Sequence, residues 1–166
     1  ADGTLYVGGY SYSTSGIDSA GAYDTTGDAT NGNGFLAHFD TDLSGSAQLL
    51  FGTYFGTSGA SAVSELSLDS YGRPVVVGTT SGTIPTTVDA HDATLSGSSD
   101  GFVAVFAADG SALAYASYLG GSGTDAATTV AIDSHDNIYV AGATASTDFA
   151  TAGAYDTTFA EAFAKR

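Results

Sequence analysis

The chain has 166 residues and a net charge of −15 at pH 7, with 18 acidic side chains against three Lys and Arg. With no basic surface to neutralise phosphate, nucleic-acid binding is excluded and docking on anionic lipid is disfavoured. Cysteine is absent, which removes disulfides, zinc–thiolate sites and a thiol nucleophile from consideration.

Charged residues make up only 13%, while Gly reaches 23 residues and Val, Leu, Phe and Tyr supply most of the large apolar side chains. That mixture favours strands and tight turns over helices. No apolar run approaches the length that spans a bilayer. The opening at Ala1 suits a processed secreted protein, and equally an excised fragment. None of Asn31, Asn33 and Asn137 is followed at the right distance by Ser or Thr, so the chain has no N-glycosylation sequon.

Taken in chain order, Leu5-Tyr-Val-Gly-Gly9 predicts a strand over about 4–10. A Ser/Thr/Gly/Asp loop follows and contains Ala22-Tyr-Asp-Thr-Thr26. Gly34-Phe-Leu-Ala-His-Phe39 predicts the next strand, and Asp40-Thr-Asp-Leu-Ser-Gly45 its turn. Two complete passes of the same pattern come after. Tyr54-Phe-Gly56 lines up with Tyr118-Leu-Gly120, and Leu66-Ser-Leu-Asp69 with Val130-Ala-Ile-Asp133, both at an offset of 64. Asp69-Ser-Tyr-Gly-Arg-Pro-Val-Val-Val-Gly-Thr-Thr80 matches Asp133-Ser-His-Asp-Asn-Ile-Tyr-Val-Ala-Gly-Ala-Thr144 at the same offset. Leu5–Gly9 joins the Val-Val-Val-Gly set, and Ala22–Thr26 recurs as Ala90–Thr94 and Ala154–Thr158. Gly34–Phe39 recurs as Gly101–Phe106 and, more loosely, as Ala162–Lys165. An ordered series of this extent is an internal repeat.

Each full unit reads as four strands. The 126–132 segment is the first, and the turn Asp133–Asp136 leads to the second at about 137–144. The 101–107 type is the third, apolar on both faces and so expected between neighbouring sheets. The turn Ala108-Asp-Gly-Ser111 leads to the fourth, 112–119, since Asp-Gly supplies the positive φ of a hairpin. The expected organisation is an all-β chain of about two and a half units: residues 1–68 (first strand missing, first strand of the next unit included), 69–132, and a partial unit at 133–166. The tail 159–166 has the composition of a helix, whereas the repeat places a strand there.

Tyr118-Leu-Gly-Gly-Ser-Gly-Thr-Asp125, Ala131-Ile-Asp-Ser134, Tyr139–Thr144, Asp100-Gly-Phe-Val-Ala104 and Asp109-Gly-Ser-Ala-Leu113 together resemble the SBBP repeat, a beta-propeller repeat of secreted and surface proteins of bacteria and archaea. The resemblance implies antiparallel four-stranded blades, an extracellular or cell-surface location, and a scaffolding or interaction role. A closed propeller takes four to eight blades. The expectation is therefore a propeller-like but incomplete array, with apolar ends around Phe35/Phe39 and Phe159/Phe163.

Chemistry-bearing motifs are few. Gly97-Ser-Ser-Asp-Gly101 fits G-x-S-x-G, but a nucleophile elbow needs a strand before Ser99 and a helix after it. His38, His91 and His135 fall in three different parts of the unit and recur in none. Asp40 and Asp42 form the candidate calcium site, two carboxylates and a Gly in one turn, although Asp is also a good turn residue without a metal. The ten Tyr are expected to pack with their hydroxyls on backbone partners, with sugar binding by exposed rings as the sharper reading. The function expected is that of a non-catalytic extracellular structural protein that associates with itself through open β-sheet edges, as a filament, sheath or surface layer. The alternative is a glycan- or protein-binding module of a larger secreted protein.

Overall fold

In the computed structural model the described residues, 3–156, form nine strands and one short 3₁₀ turn, Gly45–Gln48. The first sheet is β1 (Thr4–Ser11), β2 (Asn33–Asp40) and β3 (Leu49–Phe55), in that order. The second is β4 (Ser61–Leu68), β5 (Pro74–Thr80), β6 (Asp100–Phe106) and β7 (Leu113–Leu119). The third is β8 (Asp125–Ile132) with β9 (Ile138–Thr144). All pairings are antiparallel meanders, and no ring is closed among the described residues.

The second sheet is a full blade. The first has the second, third and fourth strands of the unit, and the third sheet has the first and second. The expected strand over 160–165, and Phe159/Phe163, lie outside the described residues.

Strand character follows from the pleat. In β6 every residue is buried, because its two faces serve two different cores. Phe102, Ala104 and Phe106 join Val76, Ala116 and Tyr118 against Leu36, Phe51 and Phe55 of the first sheet. Val103 and Val105 join Val75 and Val77 against Ala127 and Val130 of β8. Burial of both faces is what the unbroken apolar run requires.

Register sharpens the repeat. Gly9 pairs with Phe35, and Gly78 with Phe102. The partner Phe ring lies by each glycine: a Cβ would press tightly on Phe35 at Gly9 and collide with Phe102 and the Ala62 carbonyl at Gly78. Gly142 stands at the third such position, at the offset of 64 from Gly78. The sequence comparison leaves Gly8 and Gly9 both open as the match to Gly78, and the Phe settles it on Gly9. Val7, Phe35, Ala37 and Phe39 are then the counterparts of Val76, Phe102, Ala104 and Phe106.

The hairpin turn at 107–112 forms as the Asp-Gly pair predicts. Gly110 has φ of 71°, and Asp109 accepts the N–H and Oγ–H of Ser111. Phe51 of the first sheet lies flat against Gly110, so this position has no room for a Cβ. Neighbouring inner strands are linked by a side chain: the Glu65 carboxylate of β4 accepts the Val130 N–H of β8 at 2.6 Å.

Candidate functional site

The densest polar chemistry lies where one sheet hands over to the next. Between β7 and β8 the chain runs Gly120-Gly-Ser-Gly-Thr124, and it is stitched to loops on both sides. Gly123 donates its N–H to Ser146 Oγ at 2.8 Å and accepts from the Ser98 N–H at 3.2 Å. Ser122 donates its N–H and Oγ–H to Asp148.

Two buried carboxylates anchor this junction. Asp100 opens β6 and is wholly buried; it accepts the N–H groups of Ser96 (2.9 Å) and Gly97 (3.2 Å). Asp125 opens β8 and accepts from the Gly121 N–H (2.9 Å), the Ala145 N–H (3.2 Å) and Ser146 Oγ (2.6 Å). Burial pushes the Asp100 carboxyl above the usual carboxylate range; the Ser96 and Gly97 amides oppose this, and the charges of Asp125 and Asp92 add to it. Burial acts the same way on Asp125, but the hydroxyls of Ser146 and Thr144 and the amides of Gly121 and Ala145 outweigh it and hold that group low. Carboxyls driven apart in this way are what acid–base catalysis uses. Here both are committed to backbone amides, which is a structural use.

Residues 114–150, which carry β7, this junction, β8 and β9, match a family of known proteins. The match is to the SBBP beta-propeller repeat. Comparison with curated proteins finds no match. The SBBP segment contains the Tyr118–Asp125 stretch, whose residue types the junction explains: glycines where Asp100, Ser146 and Ala145 press close, and an acid to receive the converging amides.

The junction before the SBBP segment is built similarly but has uncharged residues at the two strand-opening positions. Asn33 stands where Asp100 does, accepting the Asp28 N–H at 2.7 Å and donating to the Gly56 carbonyl. Ser61 stands where Asp125 does and pairs with Thr80 Oγ1 at 2.9 Å. Sequence reasoning placed Asp100 and Asp125 in the motifs of the repeat but gave neither a role. The signal that separates them is their position, the first residue of a strand after a Gly-rich loop.

The sequence-predicted candidates do not converge. Asp40 and Asp42 lie in the β2–β3 turn, where Asp40 Oδ1 accepts the Asp42 N–H at 2.9 Å. No group of three or more His, Asp or Glu placed to hold a metal occurs among the described residues. His38 is in β2, stacked on Tyr6 at 3.9 Å. His91 is exposed in a loop, and His135 lies in the β8–β9 turn. Ser99 is followed by strand β6 and bridges to Thr124, so G-x-S-x-G here is no nucleophile elbow.

The other acidic turns explain themselves. Asp133 accepts the N–H groups of His135 and Asn137 and the Asn137 side-chain amide, and these hold it down to about 2. Its counterpart Asp69 accepts the Tyr71 and Arg73 N–H groups and the Arg73 guanidinium at 2.6 Å. Asp24 and Asp92 each hold the Thr two residues on. Tyr118 behaves as expected for a packed tyrosine: its hydroxyl accepts the Ile84 N–H at 2.8 Å and donates to the Gly82 carbonyl.

Proposed function

We propose that this propeller-type module is a non-catalytic extracellular protein that works by association with further copies of itself, through the open ends of its stack of sheets. What supports the reading is a comparison of equivalent positions. Val76, Phe102, Ala104 and Phe106 are each 0 % exposed, because the first sheet covers them. Of their counterparts, Ala37 is buried, whereas Val7, Phe35 and Phe39, which face away from the second sheet, are only half-buried and line an apolar cleft with Ile17 and Leu49. At the far end β9 is exposed at six of its seven positions, whereas its counterpart β5 is buried at six of seven.

One end thus presents a face whose equivalents the inside of the stack buries, and at the other, among the described residues, β9 pairs with β8 alone. A head-to-tail contact between copies repeats the sheet-on-sheet packing already present within the chain. Such a heterologous contact closes into a ring or runs on as a filament, according to its rotation. The non-catalytic part of the reading is supported by the committed carboxylates and by the absence of an elbow at Ser99. Among the described residues no helix is long and apolar enough to cross a membrane.

Size-exclusion chromatography with light scattering, followed by electron microscopy, tests association. Particles of several chains are expected. A stable monomer near 16.4 kDa overturns the proposal.

A further inference from the structure

We infer that the cleft between the first two sheets, walled by Tyr10 and Tyr12, is a binding site for a neutral oligosaccharide. The cleft opens at the end of the sheets where β1 and β5 finish and β2, β4 and β6 begin. Its volume is about 310 Å³, and its wall includes Asn31, Ser61, Thr79, Ser81 and Ser99 beside two alanines. That volume lies at the low end for small-molecule sites.

Three observations converge on this ligand class. The first is that the fold does not require these tyrosines. Through the Gly9–Gly78–Gly142 register, Tyr10 corresponds to Thr79 and Ala143, and Tyr12 to Ser81 and Ala145. The same backbone position is therefore filled elsewhere by small side chains. The repeat-matched pair Tyr54 and Tyr118, by contrast, is at most 2 % exposed.

The second is exposure with order. Tyr10 is 60 % and Tyr12 56 % exposed, yet their rings meet edge to face with centroids 5.8 Å apart. Tyr12 also rests against Gly32. An ordered pair of amphipathic rings offers a flat apolar surface beside hydroxyl groups at little entropic cost. A pyranose ring has the matching faces, with C–H groups on the flat side and hydroxyls around the rim.

The third is charge. In a chain of net charge −15, no charged side chain lines this cleft. Its polar groups are hydroxyls and an amide, which hydrogen-bond neutral hydroxyls in both directions. A uronic-acid or sulfated polymer would meet the long-range repulsion of the whole molecule.

The test uses cellohexaose, chitohexaose and mannohexaose as neutral probes and hexagalacturonate as the charged one. Binding is read by isothermal calorimetry and by saturation transfer from tyrosine protons. The variants are Tyr10→Thr and Tyr12→Ser, the residues the fold already accepts at the equivalent positions, with Tyr71→Ser as an exposed control on a distant turn. Expected is binding of at least one neutral hexamer, weakened about tenfold by either cleft variant and unchanged by Tyr71→Ser. Failure of all three neutral hexamers to bind the parent chain overturns the inference. So does unaltered binding by both cleft variants, equal loss with Tyr71→Ser, or tighter binding of hexagalacturonate.

Discussion

Asp136 holds Ser70, 66 residues earlier: Ser70 donates its N–H at 2.8 Å and its Oγ–H at 2.6 Å to the Asp136 carboxylate. The two residues belong to equivalent turns of successive sheets, so the bond ties one repeat to the next. Asp136 has φ of 62°, at the position where the earlier turn has Gly72 at 72°. An acid tolerates that left-handed backbone better than most side chains do. Asp136→Ala is expected to lower stability by about 1–2 kcal/mol, from lost hydrogen bonds and left-handed strain. Asp136→Gly, which removes only the bonds, is expected to cost less. Urea unfolding of the two variants checks the order; an alanine variant as stable as the glycine one contradicts it.

Gly110 combines a left-handed turn with the Phe51 ring lying on its Cα. Gly110→Ala is expected to cost about 2–4 kcal/mol, adding backbone strain to overpacking. The measurement is the urea midpoint, with near-UV circular dichroism to follow the aromatic contact. A midpoint within error of the parent value contradicts the packing described.

Asp133 and Asp100 act on stability in opposite directions as pH changes. Asp133 is held down to about 2 by the Asn137 side chain, the Asn137 and His135 amides and the Tyr139 hydroxyl. A group lowered on folding stabilises the fold above its unfolded value, and that contribution fades as pH falls from about 4 towards 2. Asp133→Asn should therefore flatten the acid limb of a melting-temperature profile. Asp100 is raised by burial, so its stabilising contribution is present in acid and lost as pH climbs through the raised value. Asp100→Asn does not titrate but turns its NH2 group towards one of the two amides, so its melting temperature is expected to gain on the parent's as pH rises from below the usual carboxylate range to neutral. A variant that loses ground to the parent over that range shows the sign to be wrong.

The association proposed above, between like-charged copies through an apolar end face, is expected to respond to salt in one direction. Net charge repels, and added salt shortens that repulsion to about 10 Å at 0.1 M. The association constant from sedimentation velocity is expected to rise between low salt and 0.5 M salt and to fall on Phe39→Ser. A Phe39→Ser chain that folds normally and associates like the parent removes this face from the interface.

The calcium reading of Asp40 and Asp42 is settled by a melt with and without chelator. The Asp40–Asp42 hydrogen bond accounts for the turn without an ion, and an unchanged midpoint is expected. A lower midpoint with chelator that calcium restores would assign a site.

Strand order, the turns at Asp109-Gly110 and Asp133–Asp136, and the two-faced burial of β6 were legible in the sequence, because glycines and alternating side chains act locally. The junction was not. Asp100 and Asp125 look like the other turn acids until the chain folds amides around them, and the Ser70–Asp136 bond joins residues that no local pattern relates. Gly8 and Gly9 could be told apart only by the position of Phe35 across the strand. Tyr10 and Tyr12 could be seen as departures from the repeat only after that register was known.

The uncharged pair Asn33 and Ser61, and the acidic pair Asp100 and Asp125, open equivalent strands with two chemistries. Acid therefore acts differently on the two strand-opening pairs: the one between the second and third sheets titrates, and the one between the first and second does not. Transplanting the Asn/Ser pair into the later seam, or the Asp/Asp pair into the earlier one, would move the point at which the stack first comes apart without altering its shape. Copies of one unit can in this way be tuned singly, so that an array of identical folds disassembles from a chosen joint.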